Sequence, residues 1–185
     1  MSTEQLEHFE TNLKIPEQVT VSLKKNMLEI SGPLGKTFKN FKKIPVSLEL
    51  RGKTILIKTS GNRKKEYAIM NTARSIIRAL CEGVINGYTI KMKIVYAHFP
   101  ITVKIQNNEV IIDNFQGERA SRIARIHGQT KVVSKGDEII LTGPVLTEVT
   151  QSAAEIEQKS RIKNKDHRVF LDGIYISSKS NSIEK

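Results

Sequence analysis

The sequence is poor in the residues that carry most redox and metal chemistry. Its 185 residues include one cysteine, no tryptophan and only 5% aromatic residues. The single cysteine, Cys81, excludes an internal disulfide and every zinc site that is built on paired cysteines. Because Cys81 lies within an apolar helical pattern, we expect a buried and unreactive thiol.

Long apolar runs are also missing. No stretch approaches the roughly 20 apolar residues that a membrane-spanning helix needs. The opening residues, MSTEQLEHFE, contain three glutamates where a signal peptide has a basic region followed by an apolar one. The sequence therefore predicts a protein of the cytoplasm that has no membrane partner.

Signals for catalysis are absent. The histidines, His8, His98, His127 and His167, are scattered, and none has metal-ligand spacing with another histidine, a cysteine or a carboxylate. No Gly-x-Ser-x-Gly motif is present, and the glycines of SGPLGK lack phosphate-loop spacing. We expect no enzymatic activity, cofactor, metal or small-molecule substrate.

Acidic residues are too few to balance the basic ones. Thirty Lys and Arg residues stand against 19 Asp and Glu, which gives a formal net charge of +11 and a pI of about 9.8. Residues 1–100 carry 17 basic and 8 acidic side chains, whereas residues 101–185 carry 13 and 11. Such an excess favours a polyanionic partner, above all nucleic acid. The alternative is a charged surface without a nucleic-acid partner.

An internal repeat organises the chain. VTVSLKKNMLEISGPLGK (19–36) aligns with ITVKIQNNEVIIDNFQGER (101–119) at an offset of 82, and RGKTILIKTSG (51–61) aligns with KGDEIILTG (135–143). In both copies the apolar residues first alternate as in β-hairpins and then follow a helical period. We predict an α+β fold of two tandem homologous domains, each a small antiparallel sheet packed on a helix. The predicted boundaries are an extension at 1–11, repeats at 12–92 and 93–179, and a tail at 180–185.

The hairpin turns and helices can be placed within these repeats. We predict turns at Lys25-Asn26, Asn107-Asn108 and SGPLGK. The first helix is predicted from an N-cap at Asn62 to about Glu82, and the second from about Glu148 to Arg161. The apolar face of the first helix consists of Met70, Ala73, Ile77, Leu80 and Val84.

The first helix opens with cations that its dipole disfavours. Arg63, Lys64 and Lys65 occupy the first turn, where acidic residues stabilise a helix and basic residues weaken it. Free backbone N–H groups and cations converging there predict a phosphate site. The alternative is a solvated run of charge.

The second repeat concentrates its cations elsewhere. Arg119, Arg122 and Arg125 are spaced by three, which favours one helical face or one loop. A second group leads from the helix end into KNKDHRVFLDGIYIS (163–177) and consists of Lys159, Arg161, Lys163, Lys165 and Arg168. The apolar half of that stretch, Phe170–Ile176, is predicted to be buried. With so few aromatics, these clusters favour recognition of the RNA backbone over base stacking.

The same stretch resembles a known family. QKSRIKNKDHRVFLDGIYISSK, from Gln158, is similar to the C-terminal signature of universal large-subunit ribosomal protein number six, called number nine in eukaryotes. IPEQVTVSLKKNMLEISGPLGK, GNRKKE and VYAHFPITV resemble the same family's N-terminal hairpin, basic turn and domain junction. The resemblance covers residues 12–179 and favours the eukaryotic or archaeal branch, and neither end of the chain shows the family pattern.

This resemblance implies a two-domain protein that arose by duplication. The protein would bind large-subunit ribosomal RNA near the base of the lateral stalk and the sarcin–ricin loop, beside neighbouring large-subunit ribosomal proteins. It would belong to the cytoplasmic ribosome, with nucleolar passage if the source is eukaryotic. Lys179 joins the cations named above as an expected RNA contact. The competing hypothesis is a free RNA-binding factor that visits ribosomes during assembly.

Overall fold

The protein has the predicted α+β architecture, described here from a computed structural model that covers residues 8–166 and 168–183. The chain divides into two compact units, Met1–Ile85 and Asn86–Lys185. The boundaries of the duplicated repeats stay a prediction.

The described part of the first unit contains six strands and one long helix. The strands are β1 (Glu10–Lys14), β2 (Thr20–Lys24), β3 (Met27–Gly32), β4 (Gly35–Asn40), β5 (Val46–Arg51) and β6 (Thr54–Thr59), and the helix is α1 (Lys64–Asn86). They form two antiparallel sheets, in the orders β1-β6-β5 and β2-β3-β4. Alternation sets the faces: Leu28 and Ile30 of β3 are buried, whereas Met27 points to solvent.

Helix α1 buries the face that the sequence predicts. Met70, Ala73, Ile77, Leu80 and Val84 are all buried. The predicted N-cap at Asn62 is wrong, because the Arg63 carbonyl accepts the first helical hydrogen bond, from the Tyr67 N–H (3.2 Å). The predicted end at Glu82 is also too early, since the helix continues to Asn86 and stops at Gly87, whose φ is 71°.

The turn in SGPLGK is confirmed, and it is held against the end of α1. The Leu34 N–H donates to the Val84 carbonyl (3.0 Å). A Cβ on Gly32 would lie 2.7 Å from Cγ2 of Val84, so the close approach requires glycine. The turn therefore packs against the end of α1, and it lacks the spacing of a phosphate-binding loop, as the sequence indicates.

The second unit repeats this design and adds a strand. Its elements are β7 (Tyr88–Val95), β8 (Thr102–Gln106), β9 (Glu109–Asp113), a 3-10 turn (Phe115–Gly117), β10 (Arg122–Arg125), β11 (Lys131–Lys135), β12 (Glu138–Gly143), α2 (Leu146–Lys159) and β13 (Gly173–Ser180). The sheets have the orders β8-β9-β10 and β11-β12-β7-β13, and all pairings are antiparallel. Helix α2 starts and ends two residues earlier than predicted.

The repeat is visible in atomic detail at the hairpins. The turns at Lys25-Asn26 and Asn107-Asn108 are confirmed, and positive φ angles occur at Lys25, Asn107 and Asn108. The Phe41 N–H donates to the Asn26 carbonyl (2.8 Å), and the Ile126 N–H donates to the Asn108 carbonyl (3.0 Å). These matched bonds identify Phe41 and Ile126 as equivalent positions.

The C-terminal segment is only partly buried, which corrects the prediction for Phe170–Ile176. Phe170 and Leu171 precede β13 and are exposed, and Tyr175 lies on the outer face of that strand. Ile174 is fully buried in the core of the second unit, beneath α2. Asp172 is nearly buried as well, because its Oδ1 accepts the Ala97 N–H (2.8 Å). An apolar run that crosses from a turn into an edge strand exposes every second side chain.

Candidate nucleic-acid interface

The predicted phosphate site at the start of α1 is solvent-exposed. Lys64 and Lys65 open the helix, Arg63 immediately precedes it, and all three are exposed. Glu66, the acidic residue of this turn, is turned inward and packs beside Gly61. Its Cγ lies 3.6 Å from the position that a Cβ atom would take on that glycine. Helix α1 thus presents cations to solvent and withdraws its first carboxylate.

Phe9, which immediately precedes β1, helps to fix this end of the helix. The rings of Phe9 and Tyr67 meet edge to face, with 5.3 Å between their centroids. Thr59 Oγ1 also links β6 to the Phe9 carbonyl (3.2 Å). The cations therefore extend from a well-anchored helix end.

The arginines at 119, 122 and 125 share neither a helix nor a single loop, contrary to the prediction from their spacing. Arg122 and Arg125 lie on strand β10, and Arg119 precedes it. Positions three apart on a strand face opposite sides, so Arg122 lies on the side of buried Ala124 while Arg125 is exposed.

Arg122 is bound within the second unit. Its Nε donates to a carboxylate oxygen of Glu118 (2.8 Å), and its Nη1 donates to the carbonyls of Lys159 (2.9 Å) and Arg161 (3.0 Å). The guanidinium also lies 4.0 Å from the centroid of the Phe115 ring. This geometry gives Arg122 a structural role at the end of α2.

The cations that follow α2 are brought close to this arginine. The Arg122 hydrogen bond is the main cause that lowers the pKa of Glu118, and the positive charges of Lys165 and Lys163 lower that pKa further. Buried Ile162 holds the backbone between exposed Arg161 and Lys163. The result is a cationic surface anchored by buried Ile162 and by the hydrogen bonds from Arg122.

The remaining predicted cations are spread along the same segment and strand β13. Lys159 ends α2, and Lys179 is exposed on β13. Lys165 Nζ lies 4.8 Å from the centroid of the Phe170 ring, and Arg168 forms an exposed ion pair with Asp166 (2.9 Å). His167 lies outside the described residues.

Other reactive groups offer no competing site. Burial raises the pKa of the Cys81 thiol to about 11, and the nearby charge of Glu82 adds to this rise, so Cys81 is a buried, protonated thiol, as the sequence predicts. Among residues 8–166 and 168–183, no three His, Cys, Asp or Glu side chains cluster as metal ligands would. In the same part of the chain, every helix is too short or too polar to span a membrane.

One group of cations escaped the sequence analysis. Lys24 and Lys25 lie at the tip of the β2–β3 hairpin, Lys42 lines the same surface depression, and Lys43 follows Lys42 in the chain. All four are exposed. Comparison of the two repeats could have found them, because the second repeat has no lysine at the matching positions.

Comparison with known proteins places the chain among ribosomal sequences. The model of the family described as Ribosomal protein L6 matches residues 99–173. The large ribosomal subunit protein uL6 of Methanobrevibacter smithii is 42% identical over 90% of this chain and 94% of its own length. The uL6 proteins of Methanosarcina mazei and Candida albicans are each 41% identical, over 91% and 94% of this chain and 96% and 95% of their own lengths.

Proposed function

The chain belongs to the family of large ribosomal subunit protein uL6, and from this premise we propose that it binds large-subunit ribosomal RNA near the base of the lateral stalk, close to the sarcin–ricin loop. As a member of that family it is a structural constituent of the large ribosomal subunit. The family is structural, so the prediction that the protein is not an enzyme is confirmed.

The cationic segment after α2 is the observation that carries the RNA proposal. Arg161, Lys163 and Lys165 are exposed on a backbone that is fixed by buried Ile162. Cations held by a rigid core can match folded RNA with little loss of conformational freedom. A second phosphate-binding group in the proposal lies at the start of α1 and consists of Arg63, Lys64 and Lys65. The remaining proposed RNA contacts are Arg119, Arg125, Lys159, Arg168 and Lys179.

The position on the subunit can be tested by directed hydroxyl-radical cleavage. An iron chelate would be attached to an introduced cysteine in Val169→Cys, because Val169 is 70% exposed beside the cationic segment. Native Cys81 is buried, and its raised pKa keeps it protonated and unreactive. The matched control is Ser75→Cys, on the exposed side of α1.

In reconstituted large subunits we expect Val169→Cys to cleave RNA in and around the sarcin–ricin loop helix. The Ser75→Cys control should give a different pattern. Cleavage confined to distant helices would contradict the proposed location, while leaving membership of the large subunit intact.

Neighbouring large-subunit proteins complete the proposed set of partners. Strands β10 and β11 expose Ile123 and Val133, each nearly half accessible. Single exposed apolar side chains are common on protein surfaces, so this part of the proposal is supported by membership of the ribosomal family. We also propose that the protein functions in cytoplasmic ribosomes and that, if its source is eukaryotic, it passes through the nucleolus during assembly.

An assembly factor would bind the same RNA transiently, and a sucrose gradient separates the two functions. A lysate is sedimented at moderate and then at high salt, and the protein is followed by immunoblot. Co-migration with large subunits, monosomes and polysomes through the high-salt wash is the expected result. Presence with precursor particles alone would indicate the assembly factor instead.

A further inference from the structure

The tip of the β2–β3 hairpin carries positive charge that no described carboxylate neutralises. Lys24, Lys25, Lys42 and Lys43, here called the lysine tip, are all exposed and form no ion pair with residues 8–166 or 168–183. Lys24, Lys25 and Lys42 line one depression in the surface. Like charges so close together repel each other, so they are not expected to stabilise the isolated fold.

The second unit shows that the fold does not require these lysines. At the equivalent positions, fixed by the offset of 82 in the hairpin and by the matched bonds of Phe41 and Ile126, it has Gln106, Asn107, His127 and Gly128. The same hairpin therefore forms with no lysine at its tip. The positive charge of the lysine tip in the first unit therefore serves a role other than folding.

An aromatic side chain lies on the sheet face next to the lysine tip. In the register of β2-β3-β4, one row places Lys24 beside Met27 and Asn40, and the next row places Ser22 beside Glu29 and Phe38. Phe38 is 73% exposed and Met27 is 45% exposed. A ring left this open on the face of a sheet offers a platform for a nucleobase.

The acidic side chain on this face limits where phosphate can bind. Glu29 lies directly across from Phe38 and accepts a hydrogen bond from Ser22 Oγ (3.3 Å). Phosphates would be repelled from this row and attracted to the row of Lys24, at the hairpin end. The face is thus divided into a site for a base and a site for the backbone.

We propose that Phe38 and the lysine tip form a further RNA-binding surface, which takes a short single-stranded segment with one base stacked on Phe38 and its phosphates on the lysines. The inference rests on the proposed RNA-binding function and adds a surface and an RNA class to it. Single strands fit because a duplex keeps its bases stacked inside and cannot offer one to the ring.

The second unit supplies the substitutions for the test. The tip variant is K24Q/K25N/K42Q, in which two changes insert the residues of the second repeat. The ring variant is F38I, because Ile123 is the residue equivalent to Phe38 in the register of β9 with β10. The charge control is K14Q/K53Q/R74Q, which removes three exposed cations elsewhere in the first unit.

Binding of the full-length chain is measured by fluorescence anisotropy over a range of salt. The probes are an unstructured 12-nucleotide RNA of alternating C and A and a 12-base-pair RNA duplex. We expect F38I to weaken single-strand binding by about fivefold to 100-fold, leaving duplex binding unchanged. The tip variant should also weaken it and reduce the salt slope by about 0.7 for each phosphate that is no longer bound. Thermal melting checks that every variant is folded.

The outcomes separate this inference from the function on which it rests. If F38I binds like the wild type and the tip variant binds like the charge control, the inference is overturned. If R63A/K64A/K65A then still loses affinity for the duplex, the proposed function survives that result. A wild-type chain that binds neither RNA would overturn the inference, whereas the proposed function is decided by the cleavage pattern in reconstituted subunits. Crosslinking of a 4-thiouridine RNA to a peptide that contains Phe38 would support the inference directly.

Discussion

At the scale of single residues, Arg122 shows that composition alone does not reveal which cations have partners within the protein. The arginine run suggests one RNA-binding cluster, but the guanidinium of Arg122 spans Glu118 and the carbonyls at the end of α2. Its neighbour Arg125 has the same charge and an exposed side chain on the same strand. Sequence spacing cannot distinguish them, because the partners of Arg122 are 4 to 39 residues away along the chain.

We expect Arg122→Ala to lower the free energy of unfolding by about 1–3 kcal/mol, because it leaves a carboxylate and two carbonyls without their donor. Arg125→Ala is the matched control and should change stability by less than about 0.5 kcal/mol. Urea denaturation measures both. Equal stability of the two variants would contradict the structural role of Arg122.

Glu155 makes the stability of the second unit depend on pH in the acidic range. The Arg125 N–H donates to its Oε1 (3.1 Å), and Nε2 of His127 lies 2.7 Å from its Oε2. These contacts, the backbone bond first, hold the pKa of Glu155 below its ordinary value of 4.5. The folded state therefore binds fewer protons than the unfolded state in this range, and stability is lost as the pH falls from about 4.5 through the lower folded pKa.

The expected result is that Glu155→Gln shows a smaller fall in stability than the wild type as the pH drops below about 4.5. Urea midpoints measured at a series of acidic pH values test this. Glu157→Gln, on the same helix, provides the control. Parallel curves for the wild type and Glu155→Gln would show that this carboxylate does not contribute.

At the scale of secondary-structure elements, the sequence predicts what local periodicity controls. The hairpins follow from alternation around Lys25-Asn26 and Asn107-Asn108, and the buried face of α1 follows from its helical period. The errors arise where tertiary contacts decide. Arg63 replaces Asn62 as the helix cap, and the apolar run before β13 faces solvent because the strand starts only at Gly173.

Strand β13 and the segment just before it offer a comparison between a buried and an exposed apolar residue. Ile174 is fully buried against β7 and α2, whereas Leu171 is 61% exposed. We expect Ile174→Ala to destabilise the protein by about 2–5 kcal/mol and Leu171→Ala to have little effect. Thermal melting compares them. Similar losses from both variants would restore the prediction that the whole apolar segment is buried.

At the scale of the whole molecule, charge is distributed without regard to the repeat. The same hairpin tip is rich in lysine in the first unit and free of lysine in the second. The first two helical residues are Lys64 and Lys65 in one unit and Leu146 and Thr147 in the other, and a glutamate follows them in both. Duplication kept the apolar pattern that specifies the fold. The surface charge changed independently, as expected if it serves binding.

Replacing Arg63, Lys64 and Lys65 together by alanine should leave the fold intact or slightly more stable, because cations at a helix start oppose its dipole. Affinity for large-subunit RNA should fall, and the salt slope should decrease by about 0.7 to 0.9 for each phosphate that the variant no longer neutralises. Melting curves and binding titrations, compared with the charge control, test this. An unfolded triple variant would show that the cluster is structural.

The pairing of β7 with β13 also sets an order for folding during synthesis. The paired strands and helix of the first unit all lie between Glu10 and Asn86, so the nascent chain can close this unit early. Strand β7 pairs with β12 and β13, and Ile94 meets Ile174 only when nearly the whole second unit has been made. Such distant pairing is slow. The first unit can therefore offer its lysine tip to RNA while the second still awaits its final strand.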